Sequence, residues 1–437
     1  MSTDVDRNII LRPIRATSRE YYILLGAVLI AIGIFAAAYV SQLSQGMIVT
    51  GLADWGTGGG TTWGLYIGAF VWWVGIAHGG IILSAAVRLL GMKRYQPVAR
   101  LAELLTLFAL MMAGLYIVVH VGRPDRIVTS VIPAYPSTVH SSPLVWDVTV
   151  ITLYFVMTAT YIGLTLRYDV ARLREELPQR FAPLYRLLLF RYSPEEDEVV
   201  ERMVWWLALA IIILAPLLLH GGVIPWLFAL LPSMPVWYGA VQGPQFLTIA
   251  LTSAIGSVIV ISLIFRVTYG WDRLFTDAVF AGLGRWLGFF ALLFLWLQLQ
   301  QIITGVFAAP TDVDLATQAK ISSGIYWVAI GSVVVALAYL FAQTIRPSLF
   351  SVRRTAVAGV LVVAATLVEK TFFVVEGLLY PSFGMYAGIP GEYYPSFIEL
   401  ASILGTVAMV TLLFMLVPKI IPVVELHAVE EAREGDG

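Results

Sequence analysis

One histidine and one carboxylate flank a short connection between two long apolar stretches. The first stretch closes with His120-Val121-Gly122-Arg123-Pro124-Asp125-Arg126, and the next opens with Ser141-Ser142-Pro143-Leu144-Val145-Trp146-Asp147. If both stretches are membrane helices, the connection holds their ends at one depth, and His120 faces Asp147 across a small space beside Trp146 and Arg123. A histidine and a carboxylate tuned by burial accept protons near pH 7, and an indole offers a planar ring an apolar wall. A quinone site at the bilayer edge requires these residue types, because a quinol gives up two protons together with two electrons. The same residues also fit a plain hydrogen-bonded pair, with Arg123 and Arg126 at the lipid headgroups, since polar anchors near helix ends are common. Spacing alone leaves both readings open.

Other ionisable groups within apolar stretches are few. Intramembrane charge is expensive and so marks functional candidates, although some such groups only hold helices together. His78, in Ala77-His78-Gly79-Gly80, reads as a proton-relay member or as a neutral histidine bonded to backbone where glycines let helices approach. Glu103 and His220 sit in the third and fifth stretches, and Glu369, Lys370 and Glu376 in the ninth. Glu369 and Lys370 are consecutive, about 100° apart on a helix. That predicts partners on different helices, and fits an ion network and a proton route equally. Gln298, Gln300 and Gln301 in the seventh stretch read as helix-to-helix glue.

The elements that must position these residues follow from composition. Of 437 residues, 59% are hydrophobic and 13% charged, and the mean hydropathy is +0.84, whereas soluble domains carry about 25% charged residues. Ten apolar runs are long enough to span a bilayer as helices: 21–41, 63–90, 98–121, 144–166, 204–230, 244–265, 280–308, 324–345, 356–380 and 397–417. Barrel strands would be about half that length. The expected fold is an all-α integral membrane protein with ten transmembrane helices over 21–421. Its second to fifth and sixth to ninth helices, 63–230 and 244–380, would form two four-helix bundles flanked by two single helices.

Of the 27 basic residues, 23 fall on one side of this alternation, which places both termini in the cytoplasm and the chain in the cell's inner (plasma) membrane. The N-terminal arm, 1–20, is too arginine-rich for an ordinary cleaved signal, so the first run is a retained helix. Residues 167–202 form the largest cytoplasmic connection, an amphipathic surface helix with a solvated loop. The acidic tail, 422–437, is expected to fray. Because the chain has no Cys, single cysteines at Thr57 and Lys93 report sidedness directly. An impermeant thiol reagent should label them from opposite faces of the membrane; labelling of both from one face would overturn the topology.

The absence of Cys removes disulfides, cysteine-ligated iron–sulfur clusters and thiolate metal sites from this polypeptide, and no metal site is expected. Haem fits poorly as well: His78, His120, His140 and His220 do not supply the paired axial ligands on facing helices that a membrane cytochrome needs. A net charge of -1 gives no general attraction to nucleic acid. Gly58-Gly59-Gly60 lacks the preceding strand and the lysine of a phosphate-binding loop.

Several runs resemble the NrfD-like, or polysulfide-reductase-type, family of integral membrane subunits. Trp63-Gly64-Leu65-Tyr66 followed by Trp72-Trp73-Val74-Gly75-Ile76-Ala77-His78-Gly79-Gly80 is similar to that family's second helix. His120-Val121-Gly122-Arg123-Pro124 resembles its His-x-Gly-Arg-Pro motif, and Ser142-Pro143-Leu144-Val145-Trp146-Asp147 its Ser-Pro-x-x-Trp motif. The Asp after that Trp, the ten helices, Glu369-Lys370 with Tyr380-Pro381-Ser382 and Met385-Tyr386, and His220 with Pro232, Trp237 and Gly243-Pro244 resemble the larger such subunit of alternative complex III.

The resemblance implies a quinol-binding subunit of an oxidoreductase complex that holds menaquinone or ubiquinone but no redox cofactor of its own. Electrons would pass to an iron–sulfur subunit on the outer face, beside a molybdopterin-type subunit or its cofactor-free relative. In alternative complex III, cytochrome c subunits and a second NrfD-like subunit would join them. His120 and Asp147 carry over as quinone-site residues, and His78, His220, Glu369 and Lys370 as members of a proton pathway, to which the polar list adds Glu103. Two departures from the family pattern, Pro225-Trp226 in place of an Asp and Lys370 in place of Arg, bear on proton pumping and leave the quinone site intact. Two other classes compete: a ten-helix secondary transporter, which would place its site at mid-membrane on broken helices, and a non-catalytic membrane anchor.

Overall fold

Runs of 20 or more apolar residues satisfy their backbone hydrogen bonds internally only as helices, and local signals set where these begin. Ser18 caps the first long helix by accepting from the Tyr21 amide. Proline stands in the first turn of the third and fourth, where its missing N–H costs nothing. Ser396 and Glu399 form a reciprocal capping box on the last.

The computed structural model describes residues 8–51, 63–139, 141–221, 228–229, 231, 234, 236–239, 241–307, 310–380 and 393–426, with backbone alone at 143–144 and 215–221. Its long helices are α1 (Arg19–Gln45), α2 (Gly64–Leu89), α3 (Gln96–His120), α4 (Pro143–Leu173), α5 (Asp197–Gly221), α6 (Gln242–Tyr269), α7 (Asp277–Phe307), α8 (Gly324–Ile345), α9 (Val352–Leu379) and α10 (Phe397–Leu416). There is no strand among the described residues, so the chain is an all-α integral membrane protein. Nine of these helices are long and apolar enough to cross a membrane by the described residues alone. The tenth expected span, 204–230, begins within α5 and continues past Gly221 into residues mostly outside the described set.

Helices α2 to α5 pack in a closed ring, each on the next and α5 back on α2, and α6 to α9 repeat the pattern. The rings meet where α2 lies against α6 and α9 and where α3 touches α6, while α1 and α10 pack on each other. Helix α2 is therefore buried almost throughout. Gly79 permits its closest approach to α6, since a Cβ there would lie 2.1 Å from the Ala250 carbonyl oxygen.

The packing alters the picture at three places. The tail does not fray at Pro422: Val423, Val424 and Leu426 are buried, and Glu425 pairs with Arg88 at 2.8 Å and Arg100 at 3.4 Å. An apolar pair followed by a carboxylate meets two guanidiniums there; residues 427–437 lie outside the described set. The connection before α8 carries the helix Thr311–Ser322, and its Lys320 is buried against Glu376 at 3.5 Å. Burial by itself would lower the Lys320 ammonium, but Glu376, Tyr326 and Glu369 together hold it above the ordinary lysine range. Glu369 and Lys370, expected to meet different helices, do so in part: Glu369 accepts from Gln298 on α7 and Gln245 on α6, and Lys370 meets Phe246 on α6 as well.

Candidate functional site

Helix α3 ends at His120, and Gly122 turns the chain with φ +71°. A side chain at Gly122 would be strained by that backbone and would meet Met47 Cγ at 2.8 Å. The glycine of the His-x-Gly-Arg-Pro run therefore stops the helix just beyond His120. The His120 Nδ1 lies 3.2 Å from the Tyr116 carbonyl oxygen. A carbonyl only accepts, so Nδ1 carries the proton and Nε2 presents a bare lone pair. Tyr116 is itself pinned, with its hydroxyl 3.1 Å from Ser402 Oγ and 3.3 Å from Thr406 Oγ1 on α10.

Asp147 lies one turn into α4, which packs on α3. It is 2% exposed, and its Oδ1 is buried without a hydrogen-bond partner among the described residues. No hydrogen bond joins it to His120 there. A buried carboxylate oxygen lacking a partner is costly, so this end of the ring holds one unsatisfied acceptor on α4 and one bare imidazole nitrogen on α3.

The two other residues expected at this end lie outward. Trp146 is 39% exposed. Arg123 is exposed and forks onto Asp125 at 2.9 and 2.8 Å, and this bond holds the Asp125 carboxyl below the usual range. The aromatic ring against His120 is Trp63, edge to face at 6.3 Å, and Trp63 in turn stacks on Trp237 at 6.5 Å. Sequence spacing did not place Trp63 at His120, 57 positions away; its signals were its place at the head of a glycine-rich helix and in the run that resembles the family's second helix.

The remaining candidates fall into two further groups. His78 donates from Nδ1 to the Val74 carbonyl at 2.8 Å, and its ring packs on Tyr154 at 4.5 Å; its Nε2 and the Tyr154 hydroxyl are buried without partners among the described residues. Glu103 accepts from Ser84 at 2.6 Å and joins a buried cluster with Arg100, Asp169, Glu425 and Arg88. Arg100 is fully buried in that cluster, 2.7 Å from Asp169 and 4.0 Å from Glu103. Twenty helical residues, about 30 Å, separate Arg100 from His120. The side chain of His220 lies outside the described set.

The second ring holds its own network. Glu369 accepts from Gln298 at 2.9 Å and Gln245 at 3.2 Å, and pairs with Lys370 at 3.2 Å. The Lys370 ammonium also stands 3.6 Å from the Phe246 ring centroid. Gln245 and Phe246 are neighbours on α6, so two adjacent side chains of α9 meet two adjacent side chains of one helix; their length overcomes the 100° divergence at Cα. Gln301 links Gln245, at 3.4 Å, to Lys320, at 3.4 Å. Among the described residues no group of three or more His, Cys, Asp or Glu side chains is placed to hold a metal ion.

A polytopic helical membrane protein built on two four-helix rings is the class these features define. The model of the polysulphide reductase family NrfD matches residues 55–381, and the chain belongs to that family. A Halobacterium salinarum protein described as a membrane subunit of dimethyl sulfoxide reductase is 31% identical, over 89% of this chain and 88% of its own length. A selenate reductase subunit of Mesobacillus selenatarsenatis is 23% identical over 87% and 89%. The Hdr-like menaquinol oxidoreductase integral membrane subunit of Archaeoglobus fulgidus is 23% identical over 97% and 98%. The chain is thus similar throughout to membrane subunits of oxidoreductases.

Proposed function

We propose that this chain is the quinol-binding membrane subunit of a reductase complex, and that His120 and Asp147 form its quinol site. The observation that carries the reading is the unpartnered Asp147 oxygen one turn into α4, on the helix packed against the one that ends in the bare Nε2 of His120. A quinol hydroxyl supplies the donor each lacks. On oxidation the quinol becomes a quinone, one proton passes to His120 Nε2 and the other to the Asp147 carboxylate. The two electrons leave for an iron–sulfur subunit, since this polypeptide has no Cys to hold a cluster. The name of the Archaeoglobus relative favours menaquinol as the donor. The reductase names of the other two favour a terminal reductase with a molybdopterin-type subunit over alternative complex III with cytochrome c subunits and a second NrfD-like subunit. The basic-residue alternation supports a plasma-membrane location with cytoplasmic termini and the site at the outer face.

Purification in mild detergent tests the proposal. The complex should yield extractable quinone at near one equivalent per chain and should contain an iron–sulfur protein. Protein that carries neither, and restores solute uptake when placed in vesicles, would be a transporter instead.

A further inference from the structure

Trp63 is the aromatic ring that stands against His120. It stands at the N-terminus of α2, where its carbonyl accepts from the Ile67 amide. Its entry into the helix is fixed by Glu399 and Tyr393: the Leu65 amide donates to the Tyr393 hydroxyl at 2.6 Å and to Glu399 Oε1 at 3.2 Å. The indole is half-buried, edge to face with His120 at an interplanar angle of 84°. Trp237 covers it in an offset stack at 15°.

Trp237 has little freedom of its own. It is buried, and its Nε1 donates to the Phe373 carbonyl of α9 at 2.8 Å. Phe228 packs on it edge to face at 4.8 Å. Its ring edge rests on the bare backbone of Gly377, where a Cβ would come within 2.0 Å of Nε1. Helix α9 of the second ring thus supports, through Trp237, an indole that stands against His120 of the first.

We propose that Trp63, braced by Trp237 against Gly377, is the plane on which the quinol head group lies, and that it makes the site favour fused-ring naphthoquinols over single-ring benzoquinols. The inference rests on the proposed quinol site at His120 and Asp147. A fused ring system has the larger face to stack, and stacking against a fixed indole adds affinity beyond simple area burial. Trp63 and Trp237 act in binding and orientation; the protons still go to His120 and Asp147. Gly377 is a positioning residue that acts only through Trp237.

The test uses the assembled complex, with menadiol and decylubiquinol as donors and an artificial dye as acceptor, and rates are taken per assembled complex. Trp63→Leu should raise KM for menadiol by about 3- to 10-fold, with kcat within about twofold and a smaller rise for decylubiquinol. Trp63→Phe, which keeps a flat ring, should retain most of the wild-type KM and of the preference. Gly377→Ala should shift KM in the same direction as Trp63→Leu by displacing Trp237. If Gly377→Ala does not assemble, the Trp63→Leu and Trp63→Phe pair decides alone. An unchanged menadiol KM in Trp63→Leu, or a KM rise in Trp146→Leu in its place, would overturn the inference. Unchanged KM in Trp63→Leu with slow turnover in His120→Gln and Asp147→Asn would remove only this wall. Wild-type turnover in those two variants would remove the quinol site itself.

Discussion

Asp147→Asn lowers quinol turnover per assembled complex by about 10²-fold or more, the usual scale for a positioned acid or base. The substitution keeps shape and most hydrogen-bonding capacity while abolishing the carboxylate's basicity, so one of the two quinol protons loses its acceptor. His120→Gln has an effect of the same order, because the amide cannot present a basic nitrogen where Nε2 stood. Neither change should disturb packing: among the described residues Asp147 makes no ion pair, and the His120 side chain bonds the Tyr116 carbonyl of its own helix and touches the Trp63 ring, a contact that a Gln side chain of similar size can also make. The measurement is quinol oxidation, with the amount of assembled complex checked on the same sample. A purely structural pair gives the reverse pattern, reduced assembly with normal turnover in whatever complex forms, and that outcome would move the chemistry away from this end of the ring.

The second large effect is on stability. Arg100 is fully buried and holds Asp169 at 2.7 Å, Glu425 at 3.4 Å and the Pro422 carbonyl at 3.4 Å. Arg100→Met leaves Asp169, Glu103 and Glu425 around one remaining guanidinium, that of Arg88. Removing one member of a buried ionic group costs about 3–5 kcal/mol, because the partners stay buried without compensation. The thermal midpoint in detergent should fall sharply, and the C-terminal segment should lose its dock, read as protease cleavage near residue 426. Arg100→Lys should rescue little, since an ammonium cannot make the forked contacts of a guanidinium. Turnover per surviving complex should stay near the wild-type rate, which separates this cluster from the site about 30 Å away along α3. An unchanged midpoint would mean that the cluster contributes nothing net to the fold.

What the chain alone determined is whatever depends on local properties. Ten apolar runs and 27 basic residues distributed mostly to one side are statements about length and solvation, and a bilayer leaves such runs one structural option. Rarity did the rest: His78, Glu103, His120, Asp147, Glu369 and Lys370 stood out because ionisable groups inside apolar runs are expensive. The Gly122 turn and the ring-nitrogen choice of His120 are also local, since each is settled within one helical turn.

The tertiary structure decided which of these groups meet. Two side chains on different helices touch only if the rotation and depth of both helices allow it, and neither is written within either run. Glu369 therefore reaches both Gln298 on α7 and Gln245 on α6, and Lys370 meets Phe246 beside Gln245 although their own helix points them apart. Lys320, in the connection between the seventh and eighth apolar runs, is drawn inward by Glu376 because the short helix Thr311–Ser322 lies over the second ring. Glu425 looked like part of a solvated tail until Arg88 and Arg100, 337 and 325 positions earlier, gave it partners. The aromatic neighbour of His120 is Trp63 and not the adjacent-motif Trp146, which is exposed on α4, because packing α2 on α3 brings the head of α2 to the end of α3. That a run lies in the membrane follows from its own residues; which of them are buried, and against what, follows from how the helices are assembled.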